Sequence, residues 1–179
     1  MKNNNFEIPK EHLKEGRDKS ECIDESSAYM LIAMVSGLVS RDPSTQVGAC
    51  IVGHDNRILS IGYNGAPNGF DDKKFPWDRE GTVLNTKYAY VCHAEMNAIL
   101  NYRGSRKDLE NAKIYVDLFP CNECAKLIIQ SGIKEIIYTC DKYKDTDGVK
   151  ASKRMLDECG VKYKQLKIDK EIIIKLKND

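Results

Sequence analysis

Apolar and polar positions change their period several times along the chain, and each change marks an element. In "SSAYMLIAMVSGLVS" (26–40), Leu31, Met34, Val35, Leu38 and Val39 recur at three- and four-residue steps. That spacing predicts a helix with one apolar stripe, capped by Asp24. "DPSTQ" (42–46) breaks it, and "VGACIVG" (47–53) and "RILSIGYN" (57–64) then read as strands, with "HDN" (54–56) as the turn between them. This is an antiparallel hairpin. From Gly65 to Tyr90 the chain is polar, with Gly, Pro and the single Trp. A loop of that length inside a compact domain is usually functional or disordered.

Helices and strands alternate afterwards. A helix is expected over about 93–103, a strand at "KIYVDL" (113–118), a helix over 121–131 and a strand at "EIIYTC" (135–140). A helix over 148–159 and a strand at "VKYKQLKI" (161–168) follow, and "DKEIIIKLKND" (169–179) fits a strand or a short helix equally. A hairpin followed by such alternation predicts an α/β fold, a three-layer αβα arrangement with one mixed sheet of about five strands and helices on both faces.

Composition narrows the class. The 179 residues suit one domain with a core. No apolar run approaches the roughly 20 residues of a membrane span, and the start "MKNNNFEIPKEHLKEGRDKS" lacks the apolar region of a signal peptide. Residues 1–23 are read as an N-terminal arm, with no membrane partner. The net charge of +1, from 28 basic and 27 acidic residues, lacks the basic excess of a protein that grips nucleic acid and points to a small substrate. Seven cysteines without a secretory signal imply a reducing compartment, hence the cytoplasm, with thiols or metal ligands rather than disulfides.

The chemistry concentrates in "CHAEMNAIL" (92–100) and "FPCNECAKLI" (119–128). Cys121 and Cys124 are spaced so that a helix's first turn presents both sulfurs on one face, where the helix N-terminus favours thiolate. His93 opens the preceding helix. One imidazole and two thiolates suit Zn2+. A structural zinc site closes with four protein ligands, and Cys92 is the conceivable fourth, but side chains adjacent on a helix diverge. A dithiol redox reading of the cysteine pair lacks any surrounding thioredoxin-like motif. Glu95 is either a favourable acid in a first helical turn or the carboxylate that hydrolytic metal chemistry needs. Cys50 and Cys140 read as small core residues, Cys22 and Cys159 have no partner motif, and His12 and His54 lie in the arm and the hairpin turn.

The pattern H-x-E followed by P-C-x-x-C is the signature of the zinc deaminases. The blocks "QVGACIV", "SIGYNGAPNGF", "TKYAYVCHAEMNAI", "LFPCNECAKLIIQSGIKEIIY" and "DKYKDTD" resemble the deoxycytidylate (dCMP) deaminases over residues 26–163. The resemblance implies a cytidine-deaminase-like fold in a deaminase domain at 24–168, followed by a tail at 169–179. It implies one catalytic zinc held by His93, Cys121 and Cys124, with Glu95 as proton shuttle, and conversion of dCMP and water to dUMP and ammonia for thymidylate synthesis. Because Gly65–Tyr90 contains neither Cys nor His, the second structural zinc of some phage relatives is not expected.

For the substrate, Arg41 and Lys142 are candidate phosphate partners, or else solvated surface charges. Asn64 is a candidate for reading the sugar hydroxyl, or else a turn residue in "YNG". Tyr143 is placed near the nucleotide or on the surface. The resemblance further implies a homo-hexamer activated by dCTP and inhibited by dTTP, with Mg2+ arriving on the regulatory nucleotide, and Gly65, Asn68, Gly69 and Phe70 at the regulatory site. The residues alone also fit a long turn there. The competing readings are a tRNA or single-stranded DNA deaminase, a free-nucleoside deaminase, which would carry C-A-E in place of H-A-E, and a non-catalytic zinc module.

Overall fold

The computed structural model describes residues 15–168. The expected tail at 169–179, His12 and the first part of the arm lie outside these residues. Five strands form one sheet: β1 (Gly48–Val52), β2 (Ile58–Tyr63), β3 (Lys113–Leu118), β4 (Glu135–Cys140) and β5 (Lys162–Gln165). Their spatial order is β2-β1-β3-β4-β5. β1 is antiparallel to both β2 and β3, whereas β3, β4 and β5 run parallel. Four helices accompany them: α1 (Glu25–Gly37), α2 (Ala94–Asn101), α3 (Asn122–Ser131) and α4 (Asp147–Glu158). The expected three-layer fold with its mixed five-stranded sheet is what forms.

Strand alternation sorts the core onto two faces. Ala49, Ile51, Ile114, Val116, Ile136 and Tyr138 point toward α2, α3 and α4. Cys50, Val52, Tyr115 and Ile137 point the other way, against Met30 and Ala33 of α1. β1 is buried along its whole length, which is why "GACIV" shows no polar alternation. Asp24 caps α1 as expected, its carboxylate accepting from the Ser27 amide at 2.9 Å.

The facing of α1 differs from the expected stripe. Met30, Ala33, Ser36 and Gly37 pack inward, while Met34, Val35, Leu38 and Val39 are exposed, Leu38 by 79%. The helix also ends at Gly37 rather than running to Ser40. The cause is close backbone approach. A Cβ on Gly48 would lie 1.7 Å from the Ala33 carbonyl oxygen, so the helix seats its small residues against β1 and leaves the large apolar ones outside.

α2 is held equally close to β2. A Cβ on Gly62 would fall 2.3 Å from the Ala98 nitrogen and 2.4 Å from the Ala94 oxygen. Ser60 Oγ donates to the Ala98 carbonyl at 2.6 Å, and Asn97 Nδ2 donates to the Tyr63 carbonyl at 2.8 Å. The two edges of the sheet differ. β5 carries Lys162 and Lys164, whereas β2 exposes Ile58, Ile61 and Tyr63. No helix among the described residues is long and apolar enough to cross a membrane.

Gly62→Ala forces backbone against backbone, so it should destabilise the fold by about 2–3 kcal/mol. Urea unfolding of the variant beside the parent measures this, and an unchanged midpoint would contradict the close packing of α2 on β2.

Candidate active site

Two helix starts meet beside the sheet. His93 is the residue immediately before α2 and Glu95 lies in its first turn. Cys121 precedes α3 and Cys124 lies in its first turn. His93 Nδ1 is 3.5 Å from Cys121 Sγ and 3.4 Å from Cys124 Sγ. All three ligand atoms lie within 4.8 Å of one another. A tetrahedral zinc with Zn–S near 2.3 Å and Zn–N near 2.0 Å separates nitrogen from sulfur by about 3.5 Å, so the donor set and its spacing fit zinc. Among the described residues no other cluster of His, Cys, Asp and Glu has this form. All seven cysteines are free thiols, and Cys92 is not part of the cluster.

The local electrostatics suit a dication. The Cys121 thiol is pushed down to about 3, first because Cys124 donates to it, with burial opposing and His93 assisting. That bond holds the proton on Cys124, whose thiol goes up correspondingly. The hydrogen bond with Cys121 raises His93 to about 9 against the effect of burial. A divalent ion held by His93, Cys121 and Cys124 would take the place of these protons, leaving both sulfurs as thiolates. Glu95 is 4% exposed. Burial raises its carboxyl above the ordinary glutamate range, and the nearby His93 pulls the other way.

These groups line a cavity of about 330 Å³, at the small end of the range for ligand sites. Of its lining residues, Glu95 is buried, His93 and Cys121 are half-buried, and Arg79, Tyr88 and Tyr143 are exposed. Asn64 also lines it, but its amide is engaged. Nδ2 donates to Asp42 Oδ2 at 3.2 Å and to the Thr45 carbonyl at 3.0 Å, and Oδ1 accepts from the Val47 amide at 2.8 Å. One lone pair of Oδ1 is left for a ligand donor.

Arg41 and Lys142 are not brought to the cavity. Arg41 pairs with Asp72 at 2.7 Å with its side chain 70% exposed, and Lys142 Nζ lies 5.0 Å from the Tyr143 ring centroid. Neither lines the cavity wall. Tyr143 does. Asn68, Gly69 and Phe70 are exposed outside the cavity. Phe70 packs against Phe75 at 5.2 Å. Gly65 is joined to Cys92 by two backbone hydrogen bonds of 3.0 and 2.9 Å.

The sequence pattern did not reveal a buried ion pair in the cavity wall. Lys87 Nζ lies 2.5 Å from Asp42 Oδ2, with side chains only 6% and 2% exposed. The other Asp42 oxygen accepts from the Ser44 and Thr45 amides at 2.8 and 3.2 Å. In the sequence Asp42 belongs to the "DPSTQ" break after the first helix and Lys87 to the polar 65–90 stretch. Together they fasten the 65–90 segment to the turn before β1. The only hint in the sequence is a lone lysine followed by aromatic residues in "TKYAY".

Residues 23–140 match the model of the cytidine and deoxycytidylate deaminase zinc-binding region. The chain belongs to the cytidine and deoxycytidylate deaminase family. The deoxycytidylate deaminase of Homo sapiens is 47% identical over 150 residues, covering 83% of each chain. That of Enterobacteria phage T4 is 31% identical over 154 residues, 66% of this chain and 79% of that one. The crystal structure of dCMP deaminase from the cyanophage S-TIM5 in complex with dCMP and dUMP superimposes with a TM-score of 0.60 at 26% identity, over 84% of this chain and all of that one. The matched region contains the His93, Cys121 and Cys124 cluster.

Two measurements check the site. Elemental analysis should find one zinc per chain, and Cys124→Ala should lose most of it; two zincs per chain would show a further site. Asp42→Asn and Lys87→Met should each cost about 3–5 kcal/mol by stranding a buried charge. The double variant should lose clearly less than the sum of the two. Additive losses in urea unfolding would mean the pair is not coupled.

Proposed function

We propose that the chain hydrolytically deaminates dCMP to dUMP and ammonia. The observation that carries this reading is a buried carboxylate, Glu95, beside a three-ligand zinc set in a small cavity, within a chain nearly half identical to deoxycytidylate deaminases. Zinc held by His93, Cys121 and Cys124 supplies the Lewis acidity that makes water a nucleophile near neutral pH. Glu95 takes a proton from the water that attacks C4 of the cytosine and gives it to the ring nitrogen beside that carbon. It then carries the water's second proton to the departing amine, so one carboxylate serves first as base and later as acid. Asn64, fixed by its three hydrogen bonds, offers its remaining lone pair to a sugar hydroxyl, and Tyr143 forms part of the wall around the nucleotide.

The dUMP product would feed thymidylate synthesis in the cytoplasm. Feedback then makes chemical sense: dCTP activating, dTTP inhibiting, each bringing Mg2+ to a site at Gly65, Asn68, Gly69 and Phe70. The double hydrogen bond from Gly65 to Cys92, next to His93, supports coupling between that loop and the zinc ligands. A coupling free energy of about 1–3 kcal/mol is sufficient for such control. The exposed Met34, Val35, Leu38 and Val39 on and just after α1 support burial in a homo-hexamer.

Glu95→Gln should retain zinc and fold yet lose at least roughly 10²–10⁴-fold in turnover, because an amide cannot carry the protons. Substantial activity in the zinc-loaded variant would assign the shuttle to another residue. Titration with dCMP should be sigmoidal, become hyperbolic with dCTP and Mg2+, and shift to higher dCMP with dTTP. Superimposable hyperbolic curves, or a monomer by light scattering, would remove the regulatory part of the proposal.

A further inference from the structure

The cavity lining holds polar side chains that the deamination chemistry does not use. It includes three basic side chains, Arg79, Lys87 and His93. His93 belongs to the zinc set, and Lys87 is neutralised by Asp42 at 2.5 Å. Arg79 has no carboxylate partner among the described residues. Its Nε donates to the Tyr88 hydroxyl at 3.1 Å. Both of its terminal amino groups are then left without a partner among the described residues. Because the Tyr88 oxygen accepts that bond, its own hydroxyl proton is free to donate elsewhere. Tyr143 is also in the lining. Arg79 is exposed, and Tyr88 and Tyr143 are 60% and 37% exposed. The cluster therefore forms the mouth of the cavity rather than its floor.

We infer that Arg79, with Tyr88 beside it, is the 5′-phosphate receptor that makes the site selective for a nucleoside monophosphate over a nucleoside. This rests on the proposed dCMP deamination. In a cytidine nucleotide the reacting C4 and the phosphate sit at opposite ends of the molecule, and in the cavity lining Glu95 is buried while Arg79 is exposed. A phosphate monoester carries close to two negative charges at neutral pH. An arginine fork with two free amino groups meets two of its oxygens at once, and the Tyr88 hydroxyl supplies a third donor. The Nε bond to Tyr88 holds the guanidinium in place before the ligand arrives, which lowers the ordering cost of binding. Arg41 and Lys142, the cations expected in this role, do not line the cavity. Arg41 already spends its charge on Asp72.

The test compares kcat/KM for dCMP and deoxycytidine in the zinc-loaded parent, Arg79→Ala, Arg79→Lys, Arg41→Ala and Lys142→Ala. Binding of dUMP and deoxyuridine is measured by calorimetry as a readout independent of turnover. The ratio of the two kcat/KM values should fall about 10²-fold in Arg79→Ala, the scale of two lost charge-assisted hydrogen bonds. Arg79→Lys should recover part of the ratio, since the charge returns without the fork. Affinity for dUMP should drop more than affinity for deoxyuridine, which a merely structural role for Arg79 would not produce. If the parent itself shows no preference for dCMP, the monophosphate reading fails and the receptor with it. If the parent prefers dCMP and Arg79→Ala keeps that preference, or Arg41→Ala or Lys142→Ala abolishes it instead, the receptor assignment alone is overturned.

Discussion

Everything at the candidate site depends on two helix N-termini being brought within a few ångströms of each other. One imidazole and two sulfurs have to converge inside 4.8 Å, and they come from positions 28 and 31 residues apart in the chain. The convergence is possible because α2 and α3 lie on the same face of the sheet. The Phe119 amide, donating to the Cys140 carbonyl at 2.8 Å, fixes where β3 hands over to α3. On the other side Gly62 lets β2 touch the backbone of α2. Each helix start also provides a positive dipole end, so the place where the ligands meet is already suited to thiolates and to a carboxylate.

The metal set could be read from the sequence because its geometry is local. Cys121 and Cys124 need only a helical turn, and His93 and Glu95 need only a helix start. The strands and helices were legible for a similar reason: their periods survive folding almost unchanged. The direction in which α1 faces was not legible. Its apolar spacing suggested Leu31, Met34 and Val35, but the decisive term was the absence of a side chain at Gly48, which rewards small residues across the contact. Hydrophobicity ranks residues by size, and a close backbone approach reverses that ranking.

The cavity wall was harder still. Asp42 and Lys87 are 45 residues apart, and neither sits in a periodic element, so no local pattern joins them. Arg41, adjacent to Asp42, looked at least as suitable as any other cation for an anionic ligand. Folding sends it to Asp72 and sends Arg79 to the cavity instead. Charge type can be seen in a sequence, but neutralisation by a distant carboxylate cannot. Asn64 shows the same limit, because three of its hydrogen bonds are to groups that only the folded chain brings near.

The unequal edges of the sheet have a further consequence. Adding strands without end requires that the last strand of one molecule accept the first strand of the next. β5 meets such an approach with Lys162 and Lys164, and charged edge strands oppose pairing. At β2 the outward carbonyls of Ile61 and Tyr63 are already taken, accepting from Asn101 Nδ2 at 3.2 Å and Asn97 Nδ2 at 2.8 Å, so α2 occupies acceptors that an added strand would need. Among the described residues strand addition is therefore opposed at both edges, by charge at β5 and by side-chain amides at β2. The helix that begins at His93 thus also keeps the sheet from serving as a template for another chain.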